Sequence, residues 1–332
     1  MKKIFALTLL VALLATTLLS CGPSKKIEES APIRIGYMAG PTGMGMAKLI
    51  HDNGGLENGN DKYTFTKYAD TAAAKADLAA GKIDLICLPT NEAEAYSNKV
   101  SSNIQVLAVN CLNSLYLLTD KNTTVTSLAD LSGQTVYTCK NGTPRTILEY
   151  VVKAQNLDIA VSYTYDGKDI VTPADLSALV VSGKLPNAVM PEPLVTSSLL
   201  SIAKNGDANI SYSVDVNMTN EWSKVCNTPV VMGCIVGRKD FVNANKDRIN
   251  AFLAEYKSSI EYISTSANID SAANYIVETG VMAAAPAAKK ALSNLGGAIA
   301  YIDGAEMKNA LVAFYGAIGV TSLPSDDFYY AK

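Results

Sequence analysis

Two successive series of short apolar runs alternating with helical patterns constrain this chain more than any other feature. In the first series, residues 33–37 read as a strand, 43–53 as a helix, 63–68 as a strand and 72–80 as an alanine-rich helix closed by Gly81. Residues 83–88 follow as a buried strand. Strands separated by helices build parallel sheets whose faces the helices cover. The second series has strands at 134–138, 161–165 and 188–190, with helices from Thr143 to Val152 and at 175–181. Thr143 reads as the N-cap of its helix and Pro144 as the first helical residue. An α/β fold with two lobes is therefore expected.

Two further apolar stretches, 115–121 and 230–238, bracket the second series. If both are crossover strands, the first lobe is discontinuous and the second is inserted into it. The expected division is 32–118 and 235–332 for lobe 1, and 119–234 for lobe 2. A length of 332 residues suits two domains of ordinary size. The stretch from Asp247 carries Ile249, Phe252, Leu253, Tyr256, Ile260 and Ile263 on one face, the spacing of a core-facing helix. Two more helices are expected, at 287–299 and 305–318.

The start of the chain has a different character. Met1-Lys2-Lys3 is basic, 4–19 is apolar and uncharged, and Leu18-Leu19-Ser20-Cys21 reads as a lipobox. This is the pattern of an export signal, and its apolar run is shorter than the roughly 20 residues a spanning helix needs. The expectation is a signal peptide at 1–20, lipid on Cys21, and a polar tether at 21–31. The protein would then sit on the outer face of the cell membrane, lipid-anchored. An uncleaved anchor helix is the alternative, and it too leaves the globular part outside.

Composition narrows the function. Losing Lys2 and Lys3 with the signal takes the formal charge from −3 to −5, which argues against nucleic-acid or polybasic membrane binding. Besides Cys21 the chain has Cys87, Cys111, Cys139, Cys226 and Cys234. An odd number cannot all pair internally. Buried free thiols are expected, with one disulfide left open. No spacing suggests zinc, so no metal and no cofactor are expected. The single histidine, His51, lies near a helix end and leaves no triad or general-base pair of the usual kind.

Several blocks, taken in order, resemble a known family. They are Ala79-Ala80-Gly81-Lys82-Ile83-Asp84-Leu85, the run Ser127-Leu128-Ala129-Asp130-Leu131-Ser132-Gly133-Gln134-Thr135-Val136, and Asn141-Gly142-Thr143-Pro144. Met190-Pro191-Glu192-Pro193, the helix at 241–256, and the ending Asp326-Asp327-Phe328-Tyr329-Tyr330 complete the set. The chain resembles substrate-binding lipoproteins of ABC importers, in the nitrate, sulfonate and thiamine-pyrimidine-precursor group of type 2 periplasmic binding proteins. Lys184-Leu185-Pro186-Asn187-Ala188 departs from the family's usual glycine followed by Val/Ile-Asp-Ala. The resemblance implies two Rossmann-like lobes, a ligand cleft between them, two crossover strands, and ABC permease subunits as partners. It implies a periplasmic-type binding protein for transport, expected as a monomer.

Open parallel sheets bind ligands at the carboxyl ends of their strands. One such place is Ala39-Gly40-Pro41-Thr42-Gly43-Met44-Gly45, which offers backbone N–H groups from Thr42, Gly43 and Met44; a tight turn is the plainer reading. The other is Asn141 to Arg145. There Thr143 can donate a hydrogen bond, and Arg145 either grips an anion bidentately or faces solvent. If the family architecture holds, these two helix starts face each other. Thr90, Asn91 and Asn110 end apolar strands, lining the cleft or capping the next helix. Glu192 accepts from a ligand amine or braces the hinge. Tyr37, Met44 and Trp222 offer apolar or stacking contacts, and core or interlobe packing is the alternative for Trp222.

With one candidate charge of each sign, the expected ligand is a small organic molecule, with a nitrogen heterocycle ahead of a sulfonate. Two other classes compete. The resemblance extends to pyrimidine-precursor synthases, but their histidine and cysteine-rich motif is missing here, so no enzyme is expected. A sensory lipoprotein of the same fold is the third reading.

Overall fold

A computed structural model describes residues 31–58, 60–99, 103–122 and 124–332. The signal segment 1–20, Cys21 and the tether before Ala31 lie outside the described residues.

Thirteen strands are described: β1 (Ile33–Met38), β2 (Tyr63–Tyr68), β3 (Leu85–Pro89), β4 (Ile104–Leu112), β5 (Leu115–Asp120), β6 (Thr135–Tyr137), β7 (Ala160–Ser162), β8 (Thr164–Tyr165), β9 (Lys168–Asp169), β10 (Asn187–Pro191), β11 (Tyr212–Asn217), β12 (Val231–Arg238) and β13 (Ile299–Ile302). They form a six-stranded sheet, β13-β4-β12-β3-β1-β2, and a five-stranded sheet, β11-β5-β10-β6-β7, with β8 and β9 as a separate pair. In the first sheet β1 runs parallel to β2 and β3, as the helix-separated runs predict, while β12 is antiparallel to both β3 and β4. In the second, β6 is parallel to β7 and β10, and β5 is antiparallel to β10 and β11.

The first sheet is buried on both faces. Leu85 and Cys87 of β3 enter one apolar cluster with Phe252, Leu253 and Tyr256. Ile86 and Leu88, their neighbours, enter the opposite cluster with Val236, Phe314 and Trp222. This two-sided burial explains why β3, β4 and β12 read as continuous apolar runs rather than alternating ones. The Lys246–Ser264 helix buries the six apolar residues its spacing singled out.

The chain leaves the first sheet after β4 and returns to its middle as β12, so the second sheet is an insertion. β5 pairs wholly within the second sheet and β12 wholly within the first. Sheet pairing thus divides the chain at Asn113-Ser114 and ahead of Val231, earlier than the expected breaks at 118 and 234. The two connections hold each other. Asn113 N–H donates to the Val230 carbonyl at 3.1 Å, and Val230 N–H donates to Asn113 Oδ1 at 3.2 Å. Asn113 takes a positive φ of 42° there, a conformation asparagine tolerates better than most residues.

Local boundaries differ where side chains have tertiary partners. The helix expected from Thr143 has Gly142 as its N-cap, with φ 101°. Thr143 is itself helical, and its hydroxyl is turned to another element. The helix expected over 43–53 is two pieces, Pro41–Met44 and Ala47–Asp52. The helix expected to reach 299 stops at Leu295, where Gly296 is left-handed and ends it. All five described cysteines are free, four of them buried. His51 is on the surface, pairing with Glu278 at 2.7 Å and stacking on Tyr275.

Candidate functional site

The carboxyl ends of β1, β3 and β4 point the same way, and the polar residues that follow them gather on the side of the crossovers. Thr42 lies in the turn of helix after β1. Thr90 and Asn91 start the Thr90–Asn98 helix directly after β3. Asn110 sits near the end of β4. From the second sheet, Thr143 starts the Thr143–Ala154 helix after β6, and Glu192 follows β10.

The tightest convergence is over Gly233 of β12. A Cβ there would sit 2.2 Å from the Thr42 methyl and 2.8 Å from Asn110 Oδ1. Glycine is what lets those two side chains close over the strand. Asn110 is fully buried. Its Nδ2 donates to Tyr256 Oη at 3.0 Å and to Cys87 Sγ at 3.4 Å, whereas among the described residues no group donates to its Oδ1. Burial pushes the Cys87 thiol up to about 12 and the Tyr256 hydroxyl well above its usual range. The set is therefore neutral at physiological pH.

Polar contacts join the two lobes. The Thr143 hydroxyl reaches Asn91 Oδ1 at 2.9 Å and the Met232 carbonyl at 3.4 Å. Thr143 thus meets the start of the Thr90–Asn98 helix. Further along, Asn294 Nδ2 donates to Glu192 Oε1 at 2.7 Å and to Thr196 Oγ1 at 3.2 Å. Tyr116 Oη donates to the Asn294 carbonyl at 2.8 Å. Glu192 also accepts from Thr196 N–H and Oγ1. Its burial pushes the carboxyl's pKa up, and these donors oppose the rise. The position of Glu192 thus matches a brace between lobes.

Other candidates have partners elsewhere. The Tyr37 hydroxyl donates to the Thr279 carbonyl at 2.7 Å inside the core, and Met44 is fully buried in the same cluster. The Thr90 hydroxyl donates to the Val231 carbonyl. Gly43 is buried, and a Cβ on it would lie 2.2 Å from the Met38 carbonyl oxygen. Arg145 bonds Glu149 and the Lys140 carbonyl and lies 4.1 Å over the Tyr163 ring. Trp222 packs between Tyr150 and Phe314, and its indole N–H donates to the Thr228 carbonyl at 2.7 Å. Sequence reasoning did not single out Thr196, Asn294, Tyr116 or Gly233. Only Gly233, a glycine inside an apolar strand, carried a local signal of close approach. Among the described residues no three His, Cys, Asp or Glu side chains converge as metal ligands would.

No family model and no curated protein matches the sequence. Solved structures do match over nearly the whole chain. An ABC transporter structure from Parabacteroides distasonis aligns with a TM-score of 0.67 at 20% identity, covering 91% of this chain and 99% of that one. The periplasmic aliphatic sulphonate-binding protein of Escherichia coli aligns at 0.66 and 18% identity, covering 91% and 92%. The chain has the fold of a periplasmic binding protein. The periplasmic nitrate-binding protein of Synechocystis shares the fold at 0.60 and 14% identity, covering 84% of this chain and 75% of that one. Nitrate and sulfonate binders are thus among the proteins similar to this periplasmic-binding-protein fold, as the sequence resemblance implies.

Proposed function

We propose that this chain is the extracytoplasmic solute-binding lipoprotein of an ABC importer. It captures a small organic molecule between its two lobes and presents the closed form to a permease. The observation that carries this reading is that strand-end polar groups from both sheets meet around Met232 and Gly233. They are Thr42, Asn110 and Asn91 from the first sheet and Thr143 from the second. The similar structures supply the class of process. The capturing bodies are lobe 1 and lobe 2, moving about the paired Asn113 and Val230 connections. A ligand favours closure by binding the closed form better than the open one.

A thermal-shift panel of nitrogen heterocycles, amino acids and organic sulfonates against the full chain tests capture. A binder present at about 100 times its dissociation constant adds ~2.7 kcal/mol of stability. Scattering of the same sample should show a smaller radius of gyration. Thr143→Val removes the hydroxyl that joins the lobes and is expected to weaken binding about tenfold, a loss typical of one hydrogen bond in a closed site. A panel without a stabilising compound, or full affinity in Thr143→Val, would count against the cleft.

The anchor is a separate part of the proposal. Cys21 carries lipid and holds the binder at the outer face of the membrane. Among the described residues no helix is long and apolar enough to cross a membrane. Cells fed a tagged fatty acid should label the wild-type chain and leave Cys21→Ser unlabelled; equal labelling of both would exclude this anchor.

A further inference from the structure

We propose that Asn110 selects for a ligand that presents a hydrogen-bond donor, and against oxyanions. This assignment rests on the capture reading above and narrows it to a substrate class. The amide of Asn110 is oriented from behind. Nδ2 is used on Tyr256 Oη and Cys87 Sγ, so Oδ1 points the other way, over Gly233 and beside the Thr42 methyl. That oxygen is fully buried and, among the described residues, accepts from no group. Buried carbonyls are nearly always paired, because an unpaired one forfeits its hydration without replacement. A ligand N–H or O–H would complete it. A sulfonate or nitrate oxygen would instead bring lone pairs against lone pairs.

Further acceptor oxygens lie close by. The Thr143 hydroxyl has one proton for two acceptors, Asn91 Oδ1 at 2.9 Å and the Met232 carbonyl at 3.4 Å. Met232 adjoins Gly233 on β12, so this carbonyl lies next to the orphaned amide oxygen in sequence. Arg145, the cation expected near an anion, is bonded to Glu149 and the Lys140 carbonyl instead. A site built to hydrogen-bond a donor rejects analogues that lack it more strongly than an apolar pocket rejects a shape change.

Competitive equilibrium dialysis of the full chain in detergent tests this, with 4-aminopyrimidine, unsubstituted pyrimidine, ethanesulfonate and nitrate at equal concentrations. The first two probes differ in one exocyclic donor. The wild type is expected to retain 4-aminopyrimidine at least tenfold over pyrimidine and over either anion. Asn110→Leu should lose that preference. A thermal melt of the variant confirms folding. A wild-type preference for ethanesulfonate or nitrate overturns the assignment while leaving capture standing. So does an amine preference that survives in a folded Asn110→Leu. Retention of no probe by the wild type would instead sink the capture reading, and the assignment with it.

Discussion

Trp222→Ala is expected to destabilise the protein by about 3–5 kcal/mol, the range for deleting a fully buried large aromatic. Trp222 is 1% exposed. Its ring centroid lies 4.9 Å from that of Tyr150 and 5.8 Å from that of Phe314. Tyr150 belongs to the Thr143–Ala154 helix of the inserted lobe. Phe314 belongs to the Gly304–Ala317 helix, which packs on β4 and β12 of the first sheet. The indole therefore joins the lobes on the return connection, and its loss opens a cavity between two bodies rather than inside one. Trp222→Phe keeps most of the apolar contact and loses the N–H bond to Thr228, so about 1–2 kcal/mol is expected. Urea denaturation followed by circular dichroism measures both. A loss below about 1 kcal/mol for the alanine variant would show that the indole is not an interlobe wedge.

Gly43→Ala is expected to act on the site itself. The added Cβ would stand 2.2 Å from the Met38 carbonyl oxygen and 3.2 Å from a Tyr37 ring carbon. The first obstacle is backbone, so no rotamer change relieves it, and the turn after β1 must move by at least about 0.8 Å. Overpacking of this kind costs about 1–3 kcal/mol. The same shift carries Thr42 away from Asn110 and Gly233. Hydrogen bonds tolerate only a few tenths of an ångström, so binding of a compound found in the thermal-shift panel should fall more than tenfold. Titration calorimetry on the folded variant checks this. Unchanged affinity together with unchanged stability would mean that the turn yields without cost and does not shape the site.

The sequence by itself determined the fold class and most strand positions. Period and length of apolar runs are local quantities, so β1, β2, β3, β10, β12 and the Lys246–Ser264 helix could be read directly. The polar strand ends were legible for the same reason. What those polar groups do was decided only by the tertiary structure. Thr143 meets Asn91 across 52 residues of chain, Asn294 reaches Glu192 across 102, and the Tyr37 hydroxyl finds Thr279 across 242. A hydroxyl or amide has no periodicity that announces its partner. The orientation of Asn110, with its nitrogen engaged and its oxygen free, depends on Tyr256 arriving from a distant helix. The strands could be counted from the chain; which oxygen of Asn110 stayed unpaired depended on how the two sheets and their helices packed.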